Sequence, residues 1–499
     1  MNLTQYEKQP LQDHCGIFAA LAQTNIHFFS RGVAALRKLQ TRGYDGAGFG
    51  TIDHTKKAFI YKREGLVDRV FTPRVIKKFE KLQAQLWLFQ VRYGTVGAFS
   101  KRNIQPFLRR HLRTKEPFIV IHNGQFSADA DYNLKDDSDS LQFVRQLSRS
   151  REHTWDARLK NLLRKKRGAW SIAIGTKDAL YLARDLMGIR PLIYGSITSR
   201  GETVWVAASE TSALMEAGVT HFFEVLPGQL VRIDKDGPVV VDSIKPRPAL
   251  CIFENVYLMK GDGKAHLPRN KKEEINDAPL VDDVRARSGA ILAKESPLLK
   301  KDVDFAVGIP GTGIAGGEAY AKTLGLPYHQ AVTDRVPQDD QRTFMQADID
   351  TIYRSVLHHF NFNEKLFVGK RVVLIDDSLV RGNVTRGLVD LLKKKYQTKE
   401  VHLRILCPPI DKICYLGINT RQRRELLAAQ IEKEIKGPKT LESLVAAMKN
   451  YLGADSLAFI TAAGLRSASS DKSGDTRFCM GCMFGHLPPI TRAGNFRKK

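Results

Sequence analysis

Three places in the sequence carry side chains whose type and spacing suit chemistry. Cys15 opens the short apolar run CGIFAAL, near the start of the chain without being its first residue. Asp376 and Asp377 follow the apolar run VVLI, and Cys479 and Cys482 form a Cys-x-x-Cys pair near the other end. A thiol can be a nucleophile, adjacent carboxylates can bind hydroxyls or a divalent cation, and paired thiolates bind soft metals. The chain therefore offers three candidate sites.

Cys15 has two interpretations. A small thiol at the start of a strand is often simply part of the core. It can also be the residue at which a processed enzyme begins, with residues 1–14 as a removable leader. In that case the freed α-amine of Cys15, with a reference pKa of about 7.7–8.0, can act as the base for its own thiol.

The stretch RVVLIDDSLVRGNVT, residues 371–385, predicts a buried parallel strand ending at Asp376, then a turn and a helix. Gly382 permits a close approach of the backbone, and N–H groups at a helix N-terminus bind phosphate. The two carboxylates would repel a phosphate, so we expect them to contact ribose hydroxyls or a Mg²⁺ ion. The alternative is an aspartate pair that only caps the helix.

The elements that must position these residues fall into two halves. From Cys15 to about Pro248, β-branched runs and hairpin turns predict a mixed α/β half rich in antiparallel sheet. The second half alternates strand, loop and helix, which predicts a doubly wound, mostly parallel sheet with ligands beyond the carboxyl ends of its strands. The expected division is a leader at 1–14, a first domain at 15–248, a linker at 249–274, a second domain at 275–467 and a tail at 468–499.

The composition narrows the class of protein. With 499 residues, 43% of them hydrophobic and 26% charged, the chain should form two or three globular domains. Its six cysteines are too few for a disulfide scaffold, and no apolar run reaches the ~18 residues of a membrane helix. The net charge of +25 comes from separate basic clusters without a nucleic-acid-binding motif, and it can equally attract a polyphosphate substrate. We expect a cytoplasmic protein with neither nucleic-acid nor membrane partners.

The stretch DDSLVRGNVT resembles the phosphoribosyl diphosphate (PRPP) loop of the type I phosphoribosyltransferases. Its residues are most similar to those of the glutamine-dependent amidophosphoribosyltransferase family. The resemblance implies that Thr312, in the loop IPGTG, joins the aspartate pair in binding Mg²⁺. The PRPP-binding residues that it implies are Asp376, Asp377, Ser378, Arg381, Gly382, Asn383, Thr385 and Arg342.

Motifs of the first half resemble the class II glutamine amidotransferases, whose N-terminal-nucleophile domain is a four-layer αββα sandwich. They are CGIFAAL, LQTRGYDGAGF, VRYGTVG, IHNGQF, DSDSLQF, RDLMGIRPLIYG and ASETSAL, in the family's order. The resemblance implies hydrolysis of glutamine through a thioester on Cys15, with the Asn123 side chain and the Gly124 N–H stabilising the oxyanion. The glutamine-binding residues that it implies are Arg92 for the carboxylate, Asp139 for the ammonium, and Arg42 and Asp45 for the shape of the pocket.

The Cys-x-x-Cys pair by itself suits either zinc or an iron–sulfur cluster, and the spacing does not choose between them. Some members of the resembled family carry a four-iron, four-sulfur (4Fe–4S) cluster. Its ligand positions fall on Cys251, Cys414, Cys479 and Cys482 of this chain. The resemblance thus implies a 4Fe–4S cluster, the alternative being four unrelated reduced thiols. Cys407 has no counterpart and is interpreted as core.

The resemblance implies that the protein converts glutamine, PRPP and water to 5-phosphoribosylamine, pyrophosphate and glutamate, which is the first step of purine synthesis. It also implies a homo-oligomer, namely a tetramer. Some positions depart from the family pattern: Gly311 replaces an acidic residue, Val384 a threonine, and residues 357–359 read Leu-His-His. These departures leave two alternatives open. One is a diverged paralogue with another acceptor, and the other is a PRPP-responsive regulator.

Overall fold

The computed structural model describes residues 15–93, 101–126, 138–199, 201–268, 273–335, 356–357, 359–414, 416, 418, 423–470 and 477–484. The predicted leader and Arg342 therefore lie outside the described residues, as does His358. No helix within the described ranges is long and apolar enough to cross a membrane.

The first half consists of two antiparallel sheets with helices. Its strands are β1 Gly16–Ile26, β2 Gly46–Ile52, β3 Ala58–Glu64, β4 Ala84–Arg92, β5 Phe107–Arg110, β6 Pro117–Phe126, β7 Gly168–Gly175, β8 Leu180–Arg184, β9 Ile193–Ser199, β10 Glu202–Ala208, β11 Phe223–Glu224, β12 Gln229–Asp234 and β13 Gly237–Ser243. Its helices are α1 Phe29–Lys38, α2 Val67–Val70, α3 Pro73–Phe79, α4 Asp139–Ser148, α5 Trp155–Arg164 and α6 Thr211–Glu216. One sheet has the strand order β11-β9-β10-β1-β4-β2-β3, and the other has the order β13-β12-β8-β7-β6-β5.

The alternation of side chains along β1 explains how these sheets stack. Ile17 and Ala19 pack between the two sheets, whereas Phe18 and Ala20 pack on the opposite face, in the core that also holds Phe29 of α1. Successive side chains of a strand point to opposite faces, and here both faces are covered. This is why CGIFAAL is continuously apolar. With α4 and α5 packed outside the second sheet, the half is the predicted αββα sandwich.

The second half is built on parallel strands. Its strands are β14 Leu250–Cys251, β15 Phe305–Gly308, β16 Val332–Asp334, β17 Phe360–Phe362, β18 Arg371–Asp376, β19 Glu400–Ile405, β20 Ser456–Phe459 and β21 Phe478–Cys479. Its helices are α7 Val281–Glu295, α8 Ile314–Leu324, α9 Asn383–Asp390, α10 Leu427–Glu434, α11 Leu441–Leu452, α12 Ala462–Ala468 and α13 Gly481–Phe484. The parallel sheet has the order β15-β18-β19-β20.

Helices cover both faces of this sheet, as the sequence predicts. The alternate side chains Val373 and Ile375 of β18 pack with α7, α8 and α12, and Val372 and Leu374 pack with α9, α10 and α11. The domain boundaries stay a prediction. Ile275, the expected first residue of the second domain, packs in the core of the first half.

Candidate active sites

Cys15 immediately precedes β1 and is buried. Its φ of 34° lies in the left-handed region, which a non-glycine residue rarely adopts. Its Sγ contacts the Tyr93 carbonyl oxygen at 4.0 Å, and the nearby Ile17 N–H donates to Ser209 Oγ at 3.1 Å. The thiol is therefore held directly before a central strand, in a backbone conformation that costs energy, a feature that concentrates at functional sites.

One cavity brings Cys15 together with several residues of the predicted glutamine site. Its lining residues are Cys15, Arg92, Tyr93, Asn103, Gln105, His122, Gly124, Ser138, Asp139 and Ser140. Burial lowers the pKa of the Arg92 guanidinium, and the neighbouring Cys15, Asp45 and Asp139 partly offset that effect. The cavity thus offers a buried cation and a carboxylate, which are the charges that would bind the α-carboxylate and the ammonium of an amino acid.

The predicted oxyanion residues lie on β6. The Asn123 side chain is fully buried, and among the described residues neither its amide nitrogen nor its oxygen has a hydrogen-bond partner. Buried amides are nearly always paired, so this one is suited to a ligand. Gly124 has a φ of 121°, and a Cβ there would lie 2.1 Å from the Ala169 carbonyl oxygen. Glycine is therefore required at position 124.

Asp139 is held by the backbone of its surroundings. Its carboxylate accepts the N–H of Phe126 at 2.8 Å and the N–H of Ser140 at 2.7 Å. These bonds fix the carboxylate at the first residue of α4, at the border of the cavity. The end of β6 and the start of α4 thus meet at this carboxylate.

Arg42 lies in a group of buried ion pairs, and its role in shaping the glutamine pocket stays a prediction. It is not among the residues that line the cavity around Cys15. Its fully buried guanidinium pairs with Glu210 and, at 2.7 Å, with Glu254, which in turn pairs with Arg190 at 3.1 Å. Although burial opposes ionisation, the two arginines lower the pKa of the Glu254 carboxyl. Asp45 approaches the pocket through its backbone N–H, which donates to the Arg92 carbonyl oxygen at 3.0 Å.

Two polar residues that were not predicted from the sequence support the cavity. Gln105 Oε1 accepts the His122 N–H at 2.7 Å, and Asn103 Oδ1 accepts the Ser138 N–H at 3.2 Å. Burial lowers the pKa of His122 to about 4, so its ring is neutral at physiological pH, with Nδ1 2.7 Å from Ser140 Oγ. The polar residues in the stretch NIQPF were the signal available in the sequence.

The aspartate pair lies where the parallel sheet places ligands. Gly308 of β15 is paired with Ile375 of β18, so the loops after these two strands are neighbours. There the Asp377 carboxylate accepts hydrogen bonds from the Thr312 and Ser378 hydroxyls. Burial raises the pKa of both Asp376 and Asp377, and the charge of Asp377 raises that of Asp376 further. A bound divalent cation would offset the cost of burying two ionised carboxylates next to each other. The oxygen donors Asp376, Asp377 and Thr312 therefore fit the predicted Mg²⁺.

The turn after the aspartate pair leads into α9. Gly382 has a φ of 75°, and a Cβ there would lie 2.6 Å from Leu427 Cδ2, so the position requires glycine. Asn383 is exposed in the first turn of α9, and Thr385 is buried. Arg381 pairs with Glu425 at 3.0 Å. α9 thus begins six residues after Asp377, and phosphate binding at its N-terminus stays a prediction.

A turn between the two halves lies near both the ion pairs of Arg42 and the aspartate pair. This π-helical turn, Glu254–Leu258, begins with the glutamate that pairs with Arg42. Burial, with Asp377 and Tyr44 nearby, raises the pKa of Tyr257 well above its usual value. Tyr257 is therefore within electrostatic range of both the first-half loop that follows Arg42 and the aspartate pair.

The four predicted cluster ligands converge in one apolar region. Cys251 of β14 is paired with Cys479 of β21, and all four thiols belong to or pack against one hydrophobic cluster. Cys414 Sγ accepts the N–H groups of Leu416 and Ile418, each at 3.4 Å. Burial raises the thiol pKa of Cys482, and the charges of Cys414, Cys251 and Cys479 raise it further. Thiols are the ligand type that an iron–sulfur cluster requires, but among the described residues no group of three or more His, Cys, Asp or Glu side chains is placed to hold a metal ion. The cluster therefore stays a prediction.

The fold and the two sites together define a class of protein. A buried thiol at a strand start, within an αββα sandwich and in one cavity with an arginine and an aspartate, is the arrangement of an N-terminal-nucleophile glutaminase. A parallel sheet with an aspartate pair and a glycine turn at its carboxyl edge is the arrangement of a phosphoribosyltransferase. The chain therefore combines a glutamine amidotransferase with a phosphoribosyltransferase.

Comparison with known proteins narrows the class. Residues 98–216 match the family described as glutamine amidotransferase domain. The amidophosphoribosyltransferase of Synechococcus elongatus is 31% identical over 96% of this chain and 92% of its own length, and that of Homo sapiens is 31% identical over 93% and 90%. The solved structure of the glutamine PRPP amidotransferase of B. subtilis, complexed with ADP and GMP, has a TM-score of 0.79 at 27% identity and covers 95% of this chain and 97% of that chain. The chain belongs to the amidophosphoribosyltransferase family.

Proposed function

We propose that this protein hydrolyses glutamine at Cys15 and uses the ammonia to convert PRPP to 5-phosphoribosylamine and pyrophosphate, the first step of purine synthesis. The observation that carries the proposal is the placement of the Cys15 thiol in one cavity with Arg92 and Asp139. The aspartate pair at the end of β18 supports the second half of the reaction.

The glutaminase step uses groups of the first half. The freed α-amine of Cys15 takes the thiol proton, and the sulfur attacks the carbon of the glutamine side-chain amide. Asn123 and the Gly124 N–H stabilise the oxyanion that forms. The carbon–nitrogen bond breaks, the amine returns the proton to the departing ammonia, and water then hydrolyses the thioester to glutamate.

The transfer step uses groups of the second half. The ammonia nitrogen forms a bond to C1 of the ribose while the bond from C1 to the pyrophosphate oxygen breaks. Asp376, Asp377 and Thr312 would hold Mg²⁺, which when bound neutralises charge on the pyrophosphate. The backbone at Gly382 and the N-terminus of α9 would bind the 5-phosphate. Because free ammonia is mostly protonated at neutral pH, it should travel through the interior, past the turn that contains Tyr257.

The test is formation of phosphoribosylamine from PRPP, measured separately with glutamine and with ammonium salt. We expect product from both nitrogen sources. Glutaminase activity without phosphoribosylamine would favour a paralogue with another acceptor, and PRPP binding without either activity would favour a regulator. The tetrameric state and the cytoplasmic location stay predictions from the sequence.

We expect the mature protein to begin at Cys15, since the proposed base is the amine of that residue. Intact-mass measurement of the active enzyme should show the loss of residues 1–14. A fully active preparation that retains the leader would contradict this prediction.

We also expect a 4Fe–4S cluster on Cys251, Cys414, Cys479 and Cys482. These residues come from three distant segments, so a cluster would join the tail to both domains and add to folding stability. Protein purified without oxygen should be brown, with iron and acid-labile sulfide in equal amounts. Cys479→Ser should lose the colour and lower the unfolding temperature together. Colourless anaerobic protein, with zinc or with no metal, would show that the cluster assignment is wrong.

A further inference from the structure

Lys62 of β3 is a partly buried lysine that the proposed mechanism does not use. Its Nζ donates to the carbonyl oxygens of Ile104 and, at 3.4 Å, Pro106, and it lies 5.0 Å from the centroid of the Phe107 ring. Burial, with the charge of Arg92 nearby, lowers the pKa of Lys62 to about 8. The side-chain amine is therefore still mostly in its ammonium form at neutral pH. In the described part of the chain, its hydrogen bonds go to carbonyl oxygens of one segment.

That segment, residues 103–106, lies directly against the first sheet. At Gly48 of β2, a Cβ would come within 2.6 Å of the Gln105 carbonyl oxygen and 3.0 Å of Pro106 Cδ. The segment crosses β2 at Gly48. On the neighbouring strand β3, Lys62 is paired with Gly48 and binds the carbonyl groups of the segment. The position of the segment is therefore set from two adjacent strands.

The same segment contacts both sides of the glutamine pocket. The Gln105 side chain accepts the His122 N–H at 2.7 Å and donates to the His122 carbonyl oxygen at 3.4 Å, directly before the oxyanion residue Asn123. The Asn103 side chain accepts the N–H of Ser138 at 3.2 Å, and Ser138 directly precedes Asp139. A shift of this one segment would move the oxyanion groups and the ammonium-binding carboxylate together.

We propose that Lys62 is a positioning residue of the glutaminase reaction. Its ammonium holds residues 103–106 in the position in which they support both the oxyanion groups and the ammonium-binding carboxylate. The inference deepens the proposed function and rests on it. Lys62 acts through Gln105 and Asn103. It should therefore influence the transition state, through the oxyanion groups, and glutamine binding, through Asp139.

The test compares Lys62→Met, which removes the charge, with Lys62→Arg, which keeps it. The matched control is Lys57→Met, an exposed lysine that precedes the same strand and contacts Asp53 through its backbone N–H and carbonyl oxygen. In the Met variant we expect kcat/KM for glutamine to fall about 10- to 100-fold, with both a lower kcat and a higher KM, because displacements of about 1 Å have effects of this size. We expect Lys62→Arg to retain most of the glutamine-dependent activity. The ammonia-dependent reaction should be unchanged in both variants.

Two results would overturn the inference in an enzyme whose parent form is active: wild-type glutamine kinetics in Lys62→Met, or equal losses in the Met and Arg variants. If Lys62→Met does not fold, Lys62→Gln takes its place, since the amide keeps a hydrogen-bond donor without the charge. An inactive parent enzyme would instead count against the proposed function. The two failures are thus distinguishable.

Discussion

Cys15→Ala should abolish phosphoribosylamine formation from glutamine, by at least about 1,000-fold, and leave the ammonia-dependent reaction intact. Removal of a catalytic nucleophile has effects of this size or larger. The second site uses no group of the Cys15 cavity, so external ammonia should still reach PRPP. Paired rate measurements with glutamine and with ammonium salt, on the same preparation, check the result.

The ammonia-dependent rate is the internal control for folding of the second half. Intact-mass measurement belongs with it, because a variant without the thiol can also retain the leader. An equal loss of both activities would mean that the substitution disturbs the whole protein. Retention of the glutamine reaction would mean that Cys15 is only a core residue, which is the other interpretation of its burial.

Asp377→Asn should lower PRPP turnover by at least about 100-fold while basal glutaminase activity stays measurable. The carboxylate accepts the Thr312 and Ser378 hydroxyls on different oxygens, so asparagine keeps an acceptor for only one of them, and it removes a charge that would hold Mg²⁺. Losses of this order follow from removing one electrostatic contact in an active site. The measurement is PRPP turnover with ammonia as the nitrogen source. The matched control is Asp390→Asn at the last residue of α9, where the half-buried aspartate pairs with Lys394.

The stability of the same variant separates the two interpretations of the aspartate pair. Burial raises the pKa of Asp377, so its ionised form, which prevails at neutral pH in the unfolded chain, costs free energy on folding. We therefore expect the metal-free variant to unfold at a temperature no lower than the parent at pH 7. Unchanged PRPP kinetics together with a lower unfolding temperature would mean that the pair only caps α9.

Much of the architecture was predictable because it depends on local periodicity. A strand with both faces covered is continuously apolar, as in β1 and β18, and a strand followed by a glycine turn and a helix places its polar residues at the sheet edge. The antiparallel sheet of the first half, the parallel sheet of the second half and the position of the aspartate pair follow from such patterns. The chemistry of the first site came instead from a resemblance, since Cys15 alone is equally consistent with a core thiol.

The sequence by itself determined the two-half architecture, the strand that follows Cys15 and the strand that ends at Asp376. The tertiary structure alone decided which distant residues meet. Arg42 pairs with Glu254, 212 positions away, and Lys62 binds the backbone 42 positions on. Cys251 lies beside Cys479 on paired strands. Periodicity reports only which face of an element is buried, whereas ion pairs and desolvation depend on what the folded chain packs against that face.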